Sequence, residues 1–171
     1  MPGPQRIVCL TEETTEALYA MGEDDRIVGI STFTRRPERA RKEKPQVTQF
    51  IKADIPAILA LKPDLVLAFS DLQADICAEL IREGVEVYAF NQRSVEGAIE
   101  KVRILGRLIS APQKGEALAA RSAEGVAPVV VRRLSRFSVT VRGTRTVSLG
   151  ERQPARLRGV GQAAGVLGGL L

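Results

Sequence analysis

"KPDLVLAFSDLQADICAELIREGVEVYAF", residues 62–90, is the stretch on which the fold turns. Its first apolar run, Leu65 to Phe69, is too short for a buried helix and is bounded by Pro63 and Ser70-Asp71, so it predicts a strand covered on both faces. "SDLQADICAELIREG" then predicts an amphipathic helix with Leu72, Ile76, Leu80 and Ile81 inward, stopped by Gly84. "VEVYAF" is a second strand. A strand, a helix of about ten residues and another strand form a right-handed crossover between parallel strands.

The same alternation extends in both directions. Upstream, "RIVCL" is a strand candidate and "TEETTEALYAMG" a helix with Leu18 and Met21 on one face and Gly22 at its end. "RIVGI" is another strand, and a long polar loop, "STFTRRPERARKEKPQVTQFIKA", follows it. Asp54 can cap the short helix "IPAILAL". Downstream, "SVEGAIEKVRILGRLI" spaces Val95, Ile99, Val102, Leu105 and Ile109 at helical intervals, and a second helical run, "KGEALAARSAEG", follows Pro112. The expected architecture is a three-layer α/β/α sandwich around one parallel sheet, with a long connecting helix and an irregular C-terminal tail. Its segments are a lobe over 5–92, a helical connection over 93–125 and a tail over 126–171.

Sheets of this kind take ligands outside the carboxyl ends of their strands. Ser70, Asp71 and Gln73 stand at such an end. Ser70-x-x-Gln73 also has the spacing of a capping box, so two readings stay open: helix cap or ligand edge.

Composition removes several functions. The chain has no His and two Cys far apart, which leaves no ligand set at metal spacing and points to two reduced, packed thiols. No glycine follows the first strand, so neither a dinucleotide fingerprint nor a Walker loop is present. Glu12-Glu13 could do acid–base work only opposite an acid or nucleophile, and none is evident; in a helix's first turn they complement its dipole. The loop "RRPERARKEK" holds six basic residues among ten, but Glu38 and Glu43 are interspersed and no aromatic is interleaved, which favours a solvated loop over a phosphate contact. No run of about 18 apolar residues occurs, and "MPGPQRIVCL" lacks the features of a secretory signal. The expected location is the cytoplasm as written, or the periplasm or cell surface if an upstream start was missed.

Charge divides the chain. Residues 1–125 sum to −2, whereas 126–171 hold eight Arg, no Lys and one acid, Glu151, for +7. The Arg, Gly, Val and Leu of that tail are what a GC-rich gene yields out of frame, and the tail is expected to be frameshifted or disordered. A genuine basic tail that binds nucleic acid is the rival, weakened by the missing Lys and RGG repeats.

"RIVCLTEETTEALYAMGEDDRIVGIS" resembles the opening of the substrate-binding proteins of cobalamin and ferric-siderophore ABC importers, the class III periplasmic binding proteins. "IPAILALKPDLVLAF" and "SVEGAIEKVRILGRLISAPQKGEALA" are similar to later segments of that family, in order, over residues 5–124. The resemblance implies the first lobe of a binding protein, here truncated, with no chemistry of its own and no intrinsic cofactor. Its ligand would be cobalamin or a ferric siderophore, a small-molecule metal chelate, and its partners ABC permease subunits, with no nucleic acid. By the same resemblance the ligand contacts are Thr11, Glu12, Glu13, Ser31, Thr32, Phe33, Phe50, Ser70, Asp71 and Gln73, and Asp75 is the permease-docking acid. Without a second lobe, the connecting helix would expose apolar side chains and favour self-association. The other reading is a small cytoplasmic Rossmann-like or flavodoxin-like enzyme domain on the same strand edges.

Overall fold

A computed structural model describes residues 3–49 and 51–134. Five strands form one parallel sheet: β1 (Ile7–Cys9), β2 (Ile27–Ser31), β3 (Gln46–Thr48), β4 (Leu65–Phe69) and β5 (Val87–Phe90), in the order β3-β2-β1-β4-β5. The helices are α1 (Glu12–Met21), α2 (Ala40–Glu43), α3 (Ile55–Ala60), α4 (Ala74–Arg82), α5 (Val95–Leu108) and α6 (Pro112–Leu134).

Successive strand residues feed opposite faces. Ile7, Cys9, Leu65 and Leu67 face one core with Leu18, Leu105 and Ile109, under α1 and α5. Val8, Leu10, Val66 and Ala68 face the other with Ile55, Ile58, Ile76 and Leu80, under α3 and α4. That double burial is why the central strands read as unbroken apolar runs.

The amino edge of the sheet is latched by the residues around Pro63. Both oxygens of Asp64 accept backbone N–H bonds, from Gln5 at 2.7 Å and Arg6 at 2.9 Å. The Arg6 guanidinium donates to the carbonyls of Leu61 and Lys62 in return.

Three expectations change. β3 and the short helix α2 arise inside the segment expected to be a polar loop. β3 is a three-residue edge strand in which Val47 alone supplies a large apolar anchor, too little for a period-two signal. Three of the six basic residues around α2 are paired: Arg36 meets Glu16 at 3.3 Å, Arg39 meets Asp24 at 3.1 Å, and Lys42 meets Glu38 at 3.0 Å. Tyr19 donates its hydroxyl to Glu43 at 2.9 Å, and Arg39 lies over the Tyr19 ring.

Second, α4 starts at Ala74, because Asp71–Gln73 form a 3₁₀ turn. Leu72 is therefore exposed rather than inward, and so is Ile81 at the end of the helix.

Third, the one long connecting helix implied by the resemblance is two helices, in keeping with the second helical run read after Pro112. Ser110, at φ +59°, turns the chain, and Pro112 opens α6. The two helices cross in backbone contact, since a Cβ built on Gly106 would lie 2.7 Å from the Gly115 Cα. Val102 and Leu105 of α5, and Ile109 just after it, are buried in the lobe, whereas Val95 at the start of α5 is exposed. Contacts divide the chain into Met1–Glu124 and Gly125–Leu171. The tail was expected to be irregular from residue 126, but α6 continues as helix to Leu134; for 135–171 the tail readings, whether frameshift, disorder or nucleic-acid binding, lie outside the described residues.

Candidate functional site at the carboxyl edge of the sheet

From β1 the chain proceeds to β2 and β3 on one side, and β4 and β5 lie on the other. The strand order therefore reverses between β1 and β4, and the crevice outside their carboxyl ends is the switch point. Thr11 leaves β1 there, and Ser70 leaves β4.

Gln73 ties these two ends together. It is fully buried; its Oε1 accepts the Phe69 N–H at 2.9 Å and its Nε2 donates to the Leu10 carbonyl at 3.3 Å. A capping box would return that amide to Ser70 N–H. Here Ser70 N–H donates to the Phe90 carbonyl at 2.7 Å, and the Gln73 side chain serves the residue before it. Ser70 sits at φ +59°, ψ 176°, a region most side chains avoid, and its Oγ accepts the Leu72 N–H at 3.3 Å. The two open readings of these residues thus divide: Ser70 and Gln73 build the edge, and Asp71 and Leu72 project from it.

The remaining candidates sort in the same way. Thr11 is buried, with its carbonyl accepting the hydroxyls of Thr14 and Thr15. Glu12 accepts the backbone N–H groups of Arg35 and Arg36 at 3.0 and 3.2 Å, fixing the loop after β2. Glu13 pairs at 3.1 Å with Lys101, a buried side chain of α5. The Ser31 hydroxyl accepts from Phe33 N–H at 3.3 Å, and Thr32 N–H donates to the Thr48 carbonyl at 2.8 Å. Asp71 and Arg93 form an exposed pair at 3.0 Å, and Asp75 is exposed on the first turn of α4. Phe50 lies outside the described residues.

What projects from the edge is apolar. Five large hydrophobic side chains are reported exposed among the described residues: Phe33, Ile51, Leu72, Ile81 and Val95. Four of them follow the carboxyl ends of β2, β3, β4 and β5 in turn, one per connection. Ile51 escapes a reading by periodicity, because a single apolar residue in a short connection has no period; Leu72 and Val95, expected on helical core faces, are exposed in the 3₁₀ turn and in the first turn of α5. The available signal was position, an apolar residue immediately after a strand that ends at the ligand edge. Beside β3 this edge carries an open hollow of about 330 Å³ lined by Thr32, Thr48, Gln49, Lys52 and Asp54. A second, of about 480 Å³, lies beside β5 between Ser70, Cys77, Ile81 and Phe90.

Chemically the edge is suited to holding a molecule. Its glutamates are committed to loop amides and to Lys101, and the Ser31 and Ser70 hydroxyls accept backbone N–H groups. Burial pushes the Cys9 thiol up to about 11, and burial also raises Cys77, so both stay protonated. No group of three or more metal-ligating side chains occurs among the described residues.

Comparison with known proteins agrees with this geometry. The family model described as periplasmic binding protein matches residues 7–132. A cobalamin-binding protein of Halobacterium salinarum is 30% identical over 107 residues, which cover 61% of this chain and 29% of that protein. The solved periplasmic vitamin B12 binding protein of Vibrio cholerae superposes with a TM-score of 0.71 at 22% identity, over 81% of this chain and 54% of the other. A periplasmic heme-binding protein from Roseiflexus sp. RS-1 gives 0.69 at 27% identity, over 78% and 51%. The chain thus spans under a third of the first relative and about half of each solved neighbour.

Proposed function

The chain belongs to the class III periplasmic binding proteins, and from that premise we propose that its described lobe is half of the substrate-binding component of an ABC importer for cobalamin or an iron-siderophore-type chelate. The observation that carries the proposal is the apolar quartet Phe33, Ile51, Leu72 and Val95, one side chain per connection along the carboxyl edge. A macrocyclic chelate offers a broad apolar surface of matching character, and Thr32 and Asp71 supply polar contacts beside it. Phe50 adjoins Ile51 in sequence and belongs to the same contact surface in this reading. Thr11, Glu12, Glu13, Ser31, Ser70 and Gln73 act one step back, by holding the loops.

The role is binding without chemical transformation, a reading supported by the commitment of Glu12 and Glu13 to loop amides and to Lys101. The partners are permease subunits, with exposed Asp75 as the docking acid, and the place of work is the periplasm or cell surface. A ligand held by one lobe keeps part of its surface wet, whereas binding sites bury about 70–90% of a ligand. Titration calorimetry with cyanocobalamin should therefore find a dissociation constant in roughly the micromolar-to-millimolar range. Heat absent up to about 1 mM would remove cobalamin as the ligand.

A further inference from the structure

We propose that two copies of this chain pair side by side through β5 and α4, extending the sheet across a two-fold axis. The contact lies along the lateral side of the sheet and does not rest on the binding reading above. Proteins blunt the edges of their sheets with charge, proline, bulges or a covering segment, because unpaired N–H and C=O groups recruit further strands. The β3 edge is treated in that way. It is three residues long, and the chain folds back over it, with a bridge from Thr48 to Ala53 and the Asp54 N–H donating to the Val47 carbonyl at 3.0 Å. The β5 edge is not. Among the described residues Val87–Phe90 pairs with β4 alone, in unbroken register, and it contains no charge and no proline.

Its backbone is poised to accept a strand. Val66 N–H donates to the Glu86 carbonyl at 2.8 Å and Ser70 N–H to the Phe90 carbonyl at 2.7 Å, so the even-numbered residues turn toward β4. Val87 and Ala89 turn their N–H and C=O groups outward, and Ala89 is exposed. An antiparallel partner with its Ala89 opposite Val87, and its Val87 opposite Ala89, would satisfy both residues in each copy. The helices then fit as well. α4 packs on β4 and β5 through Ile76, Cys77 and Leu80, so the α4 of the other copy lies two strand spacings away on the same face, about 9.6 Å. Packed helices stand about 8–10 Å apart.

The side chains between the two helices are self-complementary. Ile81, 58% exposed, lines the hollow of about 480 Å³ beside Ala89 together with the small Ala74 and Ala78. With the helices antiparallel, Ile81 of each copy meets the alanine end of the other. The same arrangement carries the exposed Arg82 of each copy toward the exposed Asp75 of the other, so the charges at the rim attract. One patch serves both copies, so the assembly closes as a dimer rather than growing into a filament.

The test is sedimentation velocity of this chain from about 1 to about 500 µM, with hydrogen exchange of residues 85–91 followed over the same range. The mass should rise from that of the monomer toward twice that value, with a dissociation constant roughly in the micromolar range, and exchange at 85–91 should slow as the mass rises. Ala89→Pro removes an outward N–H without touching the β4 ladder, and Ile81→Arg places a charge in the contact. Each variant, with the parent's circular dichroism, should weaken dimerisation at least about tenfold. If Ala89→Pro fails to fold, Ile81→Arg decides alone. A monomer up to about 500 µM would overturn the proposal, and protection of 85–91 in that monomer would show that the edge is covered within the same chain. Self-association that either folded variant leaves unchanged would overturn it too, by placing the contact on another surface.

Discussion

Gln73 shows how much of a ligand edge is set by residues that need not touch the ligand. Its amide is a side-chain link between the end of β4 and the end of β1, beside the backbone bond from Leu10 N–H to the Leu67 carbonyl, and no water reaches it. Gln73→Ala would leave a buried N–H and a buried carbonyl short of a partner, at about 1–3 kcal/mol for such a group. Chemical denaturation should register a loss of about 2–4 kcal/mol in total. The exposed side chains predict the opposite pattern. Phe33→Ala or Leu72→Ala should leave the melting temperature nearly unchanged but weaken cyanocobalamin binding about 5- to 30-fold, as expected from roughly 1–2 kcal/mol of lost apolar contact.

Glu23 gives the residue scale its pH dependence. Burial pushes its carboxyl up, but hydrogen bonds and charge from Lys114 and Arg26 outweigh that and hold it below the ordinary value of 4.5. Its folded pKa is thus lower than its unfolded one, so its contribution is present above the unfolded value and lost as pH falls through the folded value. Glu23→Gln should cost about 1–3 kcal/mol at pH 7. The gap between the two proteins should hold down to about pH 5 and narrow below it. A gap that widens on acidification would contradict the ion-pair account.

At the scale of elements, the crossing of α5 and α6 depends on two glycines. Gly106→Ala or Gly115→Ala places a methyl against backbone at under 3 Å, and backbone cannot move aside as a flexible side chain would. Each should destabilise the lobe by about 1–3 kcal/mol, in denaturation midpoint. Gly125→Ala meets nothing within 4 Å and lies inside α6, so it should be neutral or stabilising by up to about 1 kcal/mol.

The elements also mark what the sequence could and could not disclose. β1 and β4 were legible because Ile7, Val8, Leu65 and Val66 are buried on both faces of the sheet and leave unbroken apolar runs. β3 was not, since it is three residues long and stands among charges whose partners, Glu16 and Asp24, lie far away in sequence. The inward assignment of Leu72 failed for a local reason: a 3₁₀ turn advances the chain by a different angle from an α-helical one, so the helical phase starts at Ala74. In the site, residues with hydrogen-bonding side chains were legible as edge residues but not as builders of the edge. The apolar contacts Ile51, Leu72 and Val95 carried no chemical motif, and only the strand order brings them to one edge.

For the whole molecule, the described residues amount to a lobe with its second wall elsewhere. In the proposed reading the ligand meets the carboxyl edge with its apolar quartet, and the amino edge is closed by Asp64 and Arg6. The most direct measurement is hydrogen–deuterium exchange of this chain with and without saturating cyanocobalamin. The account predicts slowed exchange in the connections 31–35, 48–54, 70–73 and 91–95, with the amino-edge segments 22–26 and 61–64 unaffected. Protection confined to the amino edge, or to the groove between α4 and β5 below the connections, would contradict it.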